Sequence, residues 1–162
     1  MQMLEIFTAD QSENQWKMVS DQVMGGRSQG QMQMTSEGVH LQGQVSYENN
    51  GGFVQVKWPI TKNTLRTGEF DGVWFVAKAP KKTQVTVVLK SSQLWMPWQS
   101  YRAQVELSSD SQRFSIEFEQ FAAYKTWTRL NPQRINQFAL LLGEQGAQEL
   151  MVQKFGLFKH DG

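Results

Sequence analysis

The chain has no cysteine, only two histidines in 162 residues, and almost no net charge, with 16 Lys and Arg against 15 Asp and Glu. Each shortage removes a class of chemistry. Without cysteine there is no disulfide framework, thiol nucleophile, thiolate zinc site or iron–sulfur cluster. His40 and His160 lie far apart in sequence, so a Ser-His-Asp triad or a multi-histidine metal site has little to draw on. A net charge of +1 offers no electrostatic footprint for nucleic acid or an anionic membrane. Long apolar runs are missing too, since none approaches the roughly 18 residues of a membrane span. Met1–Phe7 has neither the basic cluster nor the apolar stretch of a signal peptide. These shortages lead us to expect a cytoplasmic protein with no cofactor, no metal and no membrane insertion.

What is present is glutamine and aromatic side chains: twenty-one Gln and nineteen Phe, Trp and Tyr. Glutamine keeps a surface hydrated without adding charge. The length suits a single domain over residues 1–162. Its dominant periodicity is two. Val39, Leu41, Gly43 and Val45 alternate with His40, Gln42 and Gln44, and Phe114, Ile116 and Phe118 alternate with Ser115, Glu117 and Glu119. Such alternation places apolar side chains on one face of a strand. The runs 73–77, 85–89, 138–142 and 155–158 are more continuously apolar and read as strands buried on most sides. Turn signals fall between them at about 8–12 residues, the spacing of sandwiches and barrels. The expected class is all-β. A short helix near Ser12, including Asn14–Lys17, and a single turn at Phe121–Tyr124 are the only helical expectations. Asn50-Gly51 between Val45 and Val56 predicts a hairpin with a type I′ turn. Lys78, Lys81 and Lys82 around Pro80 predict a solvated hairpin tip rather than a nucleic-acid patch.

Two glycine-rich stretches carry the most specific signals. In the first, Asp21, Met24, Gly25, Gly26, Arg27 and Ser28 follow Trp16. The double glycine permits a sharp bend that could aim Asp21, Arg27 and Ser28 at one point, suited to a polyol or a partner's backbone. The alternative is structural: Asp21 caps the turn, Arg27 pairs with it and Met24 fills the core. In the second stretch, Asn49, Asn50, Gly51 and Gly52 precede Phe53.

Together, Asp21-x-Val-Met-Gly-Gly-x-Ser28, Gly43-x-Val-Ser46 and Asn49-Asn-Gly-Gly-Phe53 resemble the CIA30 family, named after the complex I intermediate-associated protein of 30 kDa. The aromatic stretch Trp98-x-x-Tyr101-x-Ala103 and the segment Phe114–Phe121 fit the same family. Two positions depart from its pattern: Gln22 stands where the family usually has Gly, and Glu117 where it usually has Pro. The resemblance implies a galactose-binding-domain-like jelly roll, a β-sandwich of two antiparallel sheets, in agreement with the periodicity. It also implies a non-catalytic assembly factor with a protein partner, possible subunits of the respiratory chain among them.

A third stretch, 94–102, holds Trp95, Trp98 and Tyr101 around Pro97, with Arg102 after them. Aromatic faces with a few polar groups suit a sugar ring as well as a protein interface. A glycan is therefore the alternative ligand, and the bland reading has Trp95 or Trp98 closing one end of the core. Glycoside hydrolysis would need two carboxylates flanking a sugar. Asp21, Glu48, Asp71, Glu117 and Glu119 are available, but nothing in the sequence pairs them, so an enzyme is not expected. The candidate binding residues are Asp21, Arg27, Ser28, Asn49, Asn50, Trp95, Trp98, Tyr101 and Arg102, shaped by Gly25, Gly26, Gly51 and Gly52.

Overall fold

A computed structural model describes residues 1–9, 14–61 and 69–161, without the side chain of Asn50. Among them, strands run in the order β1 (Gln2–Thr8), β2 (Lys17–Ser20), β3 (Gln29–Thr35), β4 (Gly38–Val45), β5 (Val54–Pro59) and β6 (Gly72–Lys78). They continue with β7 (Thr83–Ser91), β8 (Ser100–Leu107), β9 (Gln112–Glu117), β10 (Ala122–Tyr124), β11 (Ile135–Leu142) and β12 (Gly146–Lys159). They form two six-stranded sheets, and among the described residues the paired strands are antiparallel. The first has the order β3-β4-β12-β6-β9, with β1 also paired to β12; the second has the order β10-β8-β7-β11-β5-β2. This is the two-sheet sandwich that the family resemblance implies, within the all-β class read from alternation and turn spacing.

Strand β12 organises the first sheet. Its first half pairs with β4 and its second half with β1, while β6 lies along its other edge. Between the sheets sits an aromatic cluster of Phe7, Trp16, Trp58, Phe138 and Phe155. Phe138 of the second sheet stacks on Phe155 of the first with ring centroids 4.0 Å apart and planes 9° from parallel. Trp16 meets Phe7 and Trp58 edge-on at 5.5 and 5.3 Å. Offset and edge-on contacts of this kind add to the area these large rings bury.

Four local expectations are corrected. The segment 45–56 is not a hairpin: Val45 ends β4 in the first sheet, whereas β5 belongs to the second. Glu48–Asn50 form a 3₁₀ turn with Asn49 in the left-handed region (φ 56°, ψ 38°), and the chain crosses between layers. Residues 79–82 likewise connect β6 of the first sheet to β7 of the second, so they are no hairpin tip. In both places the turn residues mark a change of direction, and pairing with distant strands decides which sheet the chain enters. Ser12 lies outside the described residues, and Lys17 of the expected helix begins β2 instead. Ala122–Tyr124 are strand β10, and the nearby turn falls earlier, at Phe118–Gln120. Glu119 therefore does not share a strand face with Glu117.

Candidate functional site

The two glycine-rich stretches meet at Asp21. This residue opens a 3₁₀ turn, Asp21–Met24, which Ser20 caps by accepting the Gln22 N–H and which Gly25 closes at φ 86°. Its carboxylate is fully buried. One oxygen accepts the Ser28 N–H at 2.9 Å. The other accepts the Ser28 hydroxyl at 2.5 Å and the N–H groups of Gly52 and Phe53 at 2.5 and 3.2 Å. Ser28 Oγ accepts in turn from the Ser46 N–H at 2.9 Å. A Cβ on Gly26 or on Gly51 would lie 2.5 Å from a carboxylate atom of Asp21, which explains a glycine on either side. Burial alone pushes this carboxyl up; the Ser28 hydroxyl and the backbone N–H groups of Gly52, Ser28 and Phe53 outweigh it and hold the group below its ordinary value. The polar atoms of Asp21 and Ser28 are thus directed at the protein's own backbone.

Arg27 points outwards and lies 3.7 Å from Glu48, both exposed, rather than pairing with Asp21. Met24 is exposed and does not fill the core. Asn49 is exposed and supplies the left-handed step of the crossover, which Asn tolerates better than most residues.

The outer face of the second sheet carries a groove of about 830 Å³. Val88, Leu141 and Phe53 line its floor, and the buried Ala139 packs with them in an apolar cluster separate from the main core. Strand alternation brings polar neighbours to the same face. The register aligns Arg102, Val88, Ala139 and Lys57 in one row across four strands. The next row holds Gln104, Thr86, Leu141 and Gln55. Trp98 and Tyr124 border the groove beside the start of β8, and Val23, Met24 and Glu144 border it beyond β2 and β11.

Four cations line this groove: a central three, Lys57, Lys90 and Arg102, and Lys125 beside Tyr124. The Arg102 guanidinium lies 3.7 Å from the centre of the Tyr124 ring, and its Nε donates to Ser100 Oγ at 3.0 Å. Lys90 Nζ donates to the Pro97 carbonyl at 2.6 Å. Burial lowers the pKa of Lys90, and the positive charges of Lys57 and Arg102 lower it further. Among the described residues no carboxylate forms an ion pair with any of the three.

The aromatic stretch divides. Tyr101 is buried, with its hydroxyl donating to the Thr128 carbonyl at 2.8 Å, so it is structural in this geometry. Trp95 is 85% exposed and Trp98 49%; neither closes the core. Gln99 ties their loop by accepting the N–H groups of Trp95 and Met96 at 3.4 and 3.2 Å. It also bonds the Lys125 carbonyl, as Gln93 does the Arg129 carbonyl, at 3.3 and 3.0 Å. The neighbouring loop so held presents Trp127 wholly to solvent.

Sequence reasoning passed over Trp127, Tyr124, Lys57 and Lys90. A tryptophan between Thr126 and Thr128 was a legible sign of exposure. The other three carry no local sign, because only strand pairing assembles them. Of the carboxylates weighed for hydrolysis, Asp21 is held by its own backbone partners and Glu48 faces Arg27, whereas Asp71 and Glu117 both meet His160: Asp71 accepts its N–H and Glu117 bonds its ring, each at 2.7 Å. Among the described residues no group of three or more His, Asp or Glu is arranged to hold a metal ion. None of the described helices is long and apolar enough to cross a membrane.

In fold, the chain is similar to a family 11 carbohydrate-binding module from Clostridium thermocellum, solved in complex with a β-1,3-1,4-mixed-linked tetrasaccharide. The TM-score is 0.76 at 12% identity, covering 97% of this chain and 94% of that one. It is also similar to the family 11 module of a cellulosomal cellulase of the same organism, with a TM-score of 0.78 at 10% identity, covering 98% and 95%. An agarase, AgWH50C, contains a similar region, with a TM-score of 0.71 at 13% identity, covering 99% of this chain but 25% of that one. No curated protein sequence matches the chain. At these identities the likeness concerns the jelly-roll fold alone. The family described as complex I intermediate-associated protein 30 (CIA30) matches residues 6–153, the span that holds both glycine-rich stretches and the Asp21 knot between them; the chain belongs to the CIA30 family.

Proposed function

We propose that this chain is a non-catalytic binding domain whose ligand lies in the groove of the second sheet, and that the ligand is a carbohydrate chain. The observation that carries this reading is the make-up of the groove. An apolar floor of Val88, Leu141 and Phe53 is edged by Gln55, Gln84, Gln104 and Gln137. Amides both donate and accept, as sugar hydroxyls require, and the aromatic faces of Trp98 and Tyr124 can pack on sugar C–H groups. Glu144 is the one carboxylate among the described groove residues, whereas glycoside hydrolysis ordinarily needs two. The family 11 modules of similar fold are carbohydrate-binding by name, one of them seen with a tetrasaccharide. Of the residues singled out in the sequence, Trp98 and Arg102 belong to this reading; Asp21 and Ser28 belong to the scaffold.

Affinity electrophoresis and calorimetry against a panel of polysaccharides test it. At least one polysaccharide should bind, and Trp98→Ala or Gln104→Ala should weaken that binding about tenfold or more while the circular dichroism spectrum stays unchanged. If no polysaccharide binds, or both variants bind like the parent, the reading fails.

A second reading keeps the family's description at its centre: a protein partner, with respiratory-chain subunits as candidates. The exposure of Trp95 and Trp127 on adjoining loops favours it, since tryptophan is prominent among interface anchors. Neither ring lines the groove, so Trp95→Ser with Trp127→Ser removes partner capture under this reading and spares glycan binding under the first.

A further inference from the structure

Lys57, Lys90 and Arg102 lie in the groove of a protein whose net charge is only +1. They come from three strands, β5, β7 and β8. Arg102 and Lys57 occupy one cross-strand row with Val88 and Ala139 between them, a separation of about 14 Å at the usual strand spacing. Lys90 stands on the next outward position of β7, opposite Gln137. The row thus runs across the strands, along a groove that reaches from Val19 of β2 to Tyr124 of β10.

The polar ends of these side chains remain largely uncommitted. Arg102 uses Nε on Ser100, and its two terminal nitrogens make no hydrogen bond among the described residues. Among the described residues the Lys57 ammonium has neither a hydrogen bond nor an ion pair, and Lys90 makes one bond, to Pro97. Three cations outside the groove do face a carboxylate: Lys78 meets Glu37 at 3.2 Å, Lys154 meets Glu5 at 3.7 Å and Arg27 meets Glu48 at 3.7 Å. Other charged groups border the groove, with Lys125 at its Tyr124 end and Glu144 at the far end. Among the described residues Glu144 forms no ion pair with the central three cations. Burial lowers the pKa of Lys90, and the nearby charges of Lys57 and Arg102 lower it further.

Resting on the carbohydrate reading above, we propose that the groove selects acidic glycans, chains whose sugar residues carry carboxylates, with Lys57, Lys90 and Arg102 as the groups that select them. A carboxylate presents two oxygens to the planar fork of an arginine, and the fork of Arg102 lies over the Tyr124 ring at 3.7 Å from its centre. The ammonium groups of Lys57 and Lys90 act as less directional charges further along the chain. Van der Waals contact with the apolar floor restricts the ligand to a chain with flat, C–H-bearing faces, which separates a glycan from an acidic peptide. The positive charge is held locally, so an electrically balanced exterior limits general adhesion to polyanions.

The test compares matched polymers at low ionic strength: polygalacturonate, alginate and hyaluronan as acidic glycans, and methyl-esterified polygalacturonate and mixed-linked glucan as neutral ones. Dextran sulfate and poly-glutamate serve as polyanions of other chemistry. At least one acidic glycan should bind ten times or more tighter than any neutral polymer, and lose most of that advantage in 0.5 M salt. The Lys57→Gln, Lys90→Gln double variant should abolish the advantage with its melting temperature unchanged. Arg102→Lys, which keeps the charge but not the fork, should weaken acidic-glycan binding several-fold. Neutral polymers binding as tightly as acidic ones would overturn the proposal while leaving the carbohydrate reading intact. Failure of every polysaccharide would overturn both. Equal binding of poly-glutamate or dextran sulfate would show attraction to charge alone and also overturn it.

Discussion

At Asp21 two opposing effects act on one carboxyl. Desolvation disfavours its charge, while a hydroxyl and three backbone N–H groups favour it, and the second effect prevails. Asp21→Asn keeps the shape, weakens every acceptor bond and turns one donor against another, so it should cost about 3 kcal/mol. In a chain of this size that corresponds to a melting temperature lower by roughly 6–12 °C, measurable by calorimetry. The pH dependence has a definite sign. Because the folded pKa is depressed, this stabilisation is complete above the unfolded carboxyl's value near pH 4 and is lost as pH falls through the folded value. Urea unfolding of parent and variant should therefore give a difference that is constant from pH 7 to about pH 5 and shrinks in more acid solution. A difference that grew on acidification would contradict the assignment. The glycine pairs were legible in the sequence as places needing unusual backbone. That they enclose a single carboxylate was not, since Asp21 and Gly51 are separated by a long stretch of chain and only the fold makes them neighbours.

Among elements, β12 shows how far local pattern reaches. Its apolar run at 155–158 is evident in sequence, whereas its full length, Gly146–Lys159, and its division between β4 and β1 are set by partners far along the chain. Gly156 marks the place where β1 and Trp74 both approach: a Cβ there would lie 1.9 Å from the Leu4 carbonyl oxygen and 2.7 Å from Trp74 Nε1. Gly156→Ala should displace β1 at a cost of about 2–4 kcal/mol. Hydrogen exchange should register it as lost protection at Met3–Phe7, with protection of β7 and β11 retained. Uniform loss across both sheets would mean that β1 is not a separable element. The same limit explains the two misread hairpins. Asn50-Gly51 and Pro80 announce a reversal through φ preferences that act over two or three residues. Whether the chain then pairs with the strand it has left or crosses to the other layer depends on β11 and β12, which no turn residue encodes.

On the scale of the molecule, the sheets are joined by a shared aromatic interior. Phe155→Ala removes one side of the 4.0 Å stack with Phe138 and should cost about 3–5 kcal/mol. It should lower the unfolding midpoint in denaturant with little change of slope, and a change confined to one sheet would show that the layers unfold separately. Glutamine abundance, which in sequence describes only a wet, uncharged exterior, takes on a specific place here, since Gln55, Gln84, Gln104 and Gln137 edge the groove. The sequence by itself determined the all-β class, the apolar face of most strands and the positions of the special turns, because side-chain alternation and backbone preference are properties of a few consecutive residues. Only the tertiary structure decided which strands are neighbours, that the glycine-rich stretches close around Asp21, and that Lys57, Lys90 and Arg102 share one groove. Those residues belong to different strands, and their proximity is a consequence of antiparallel register across the second sheet, which long-range pairing alone establishes.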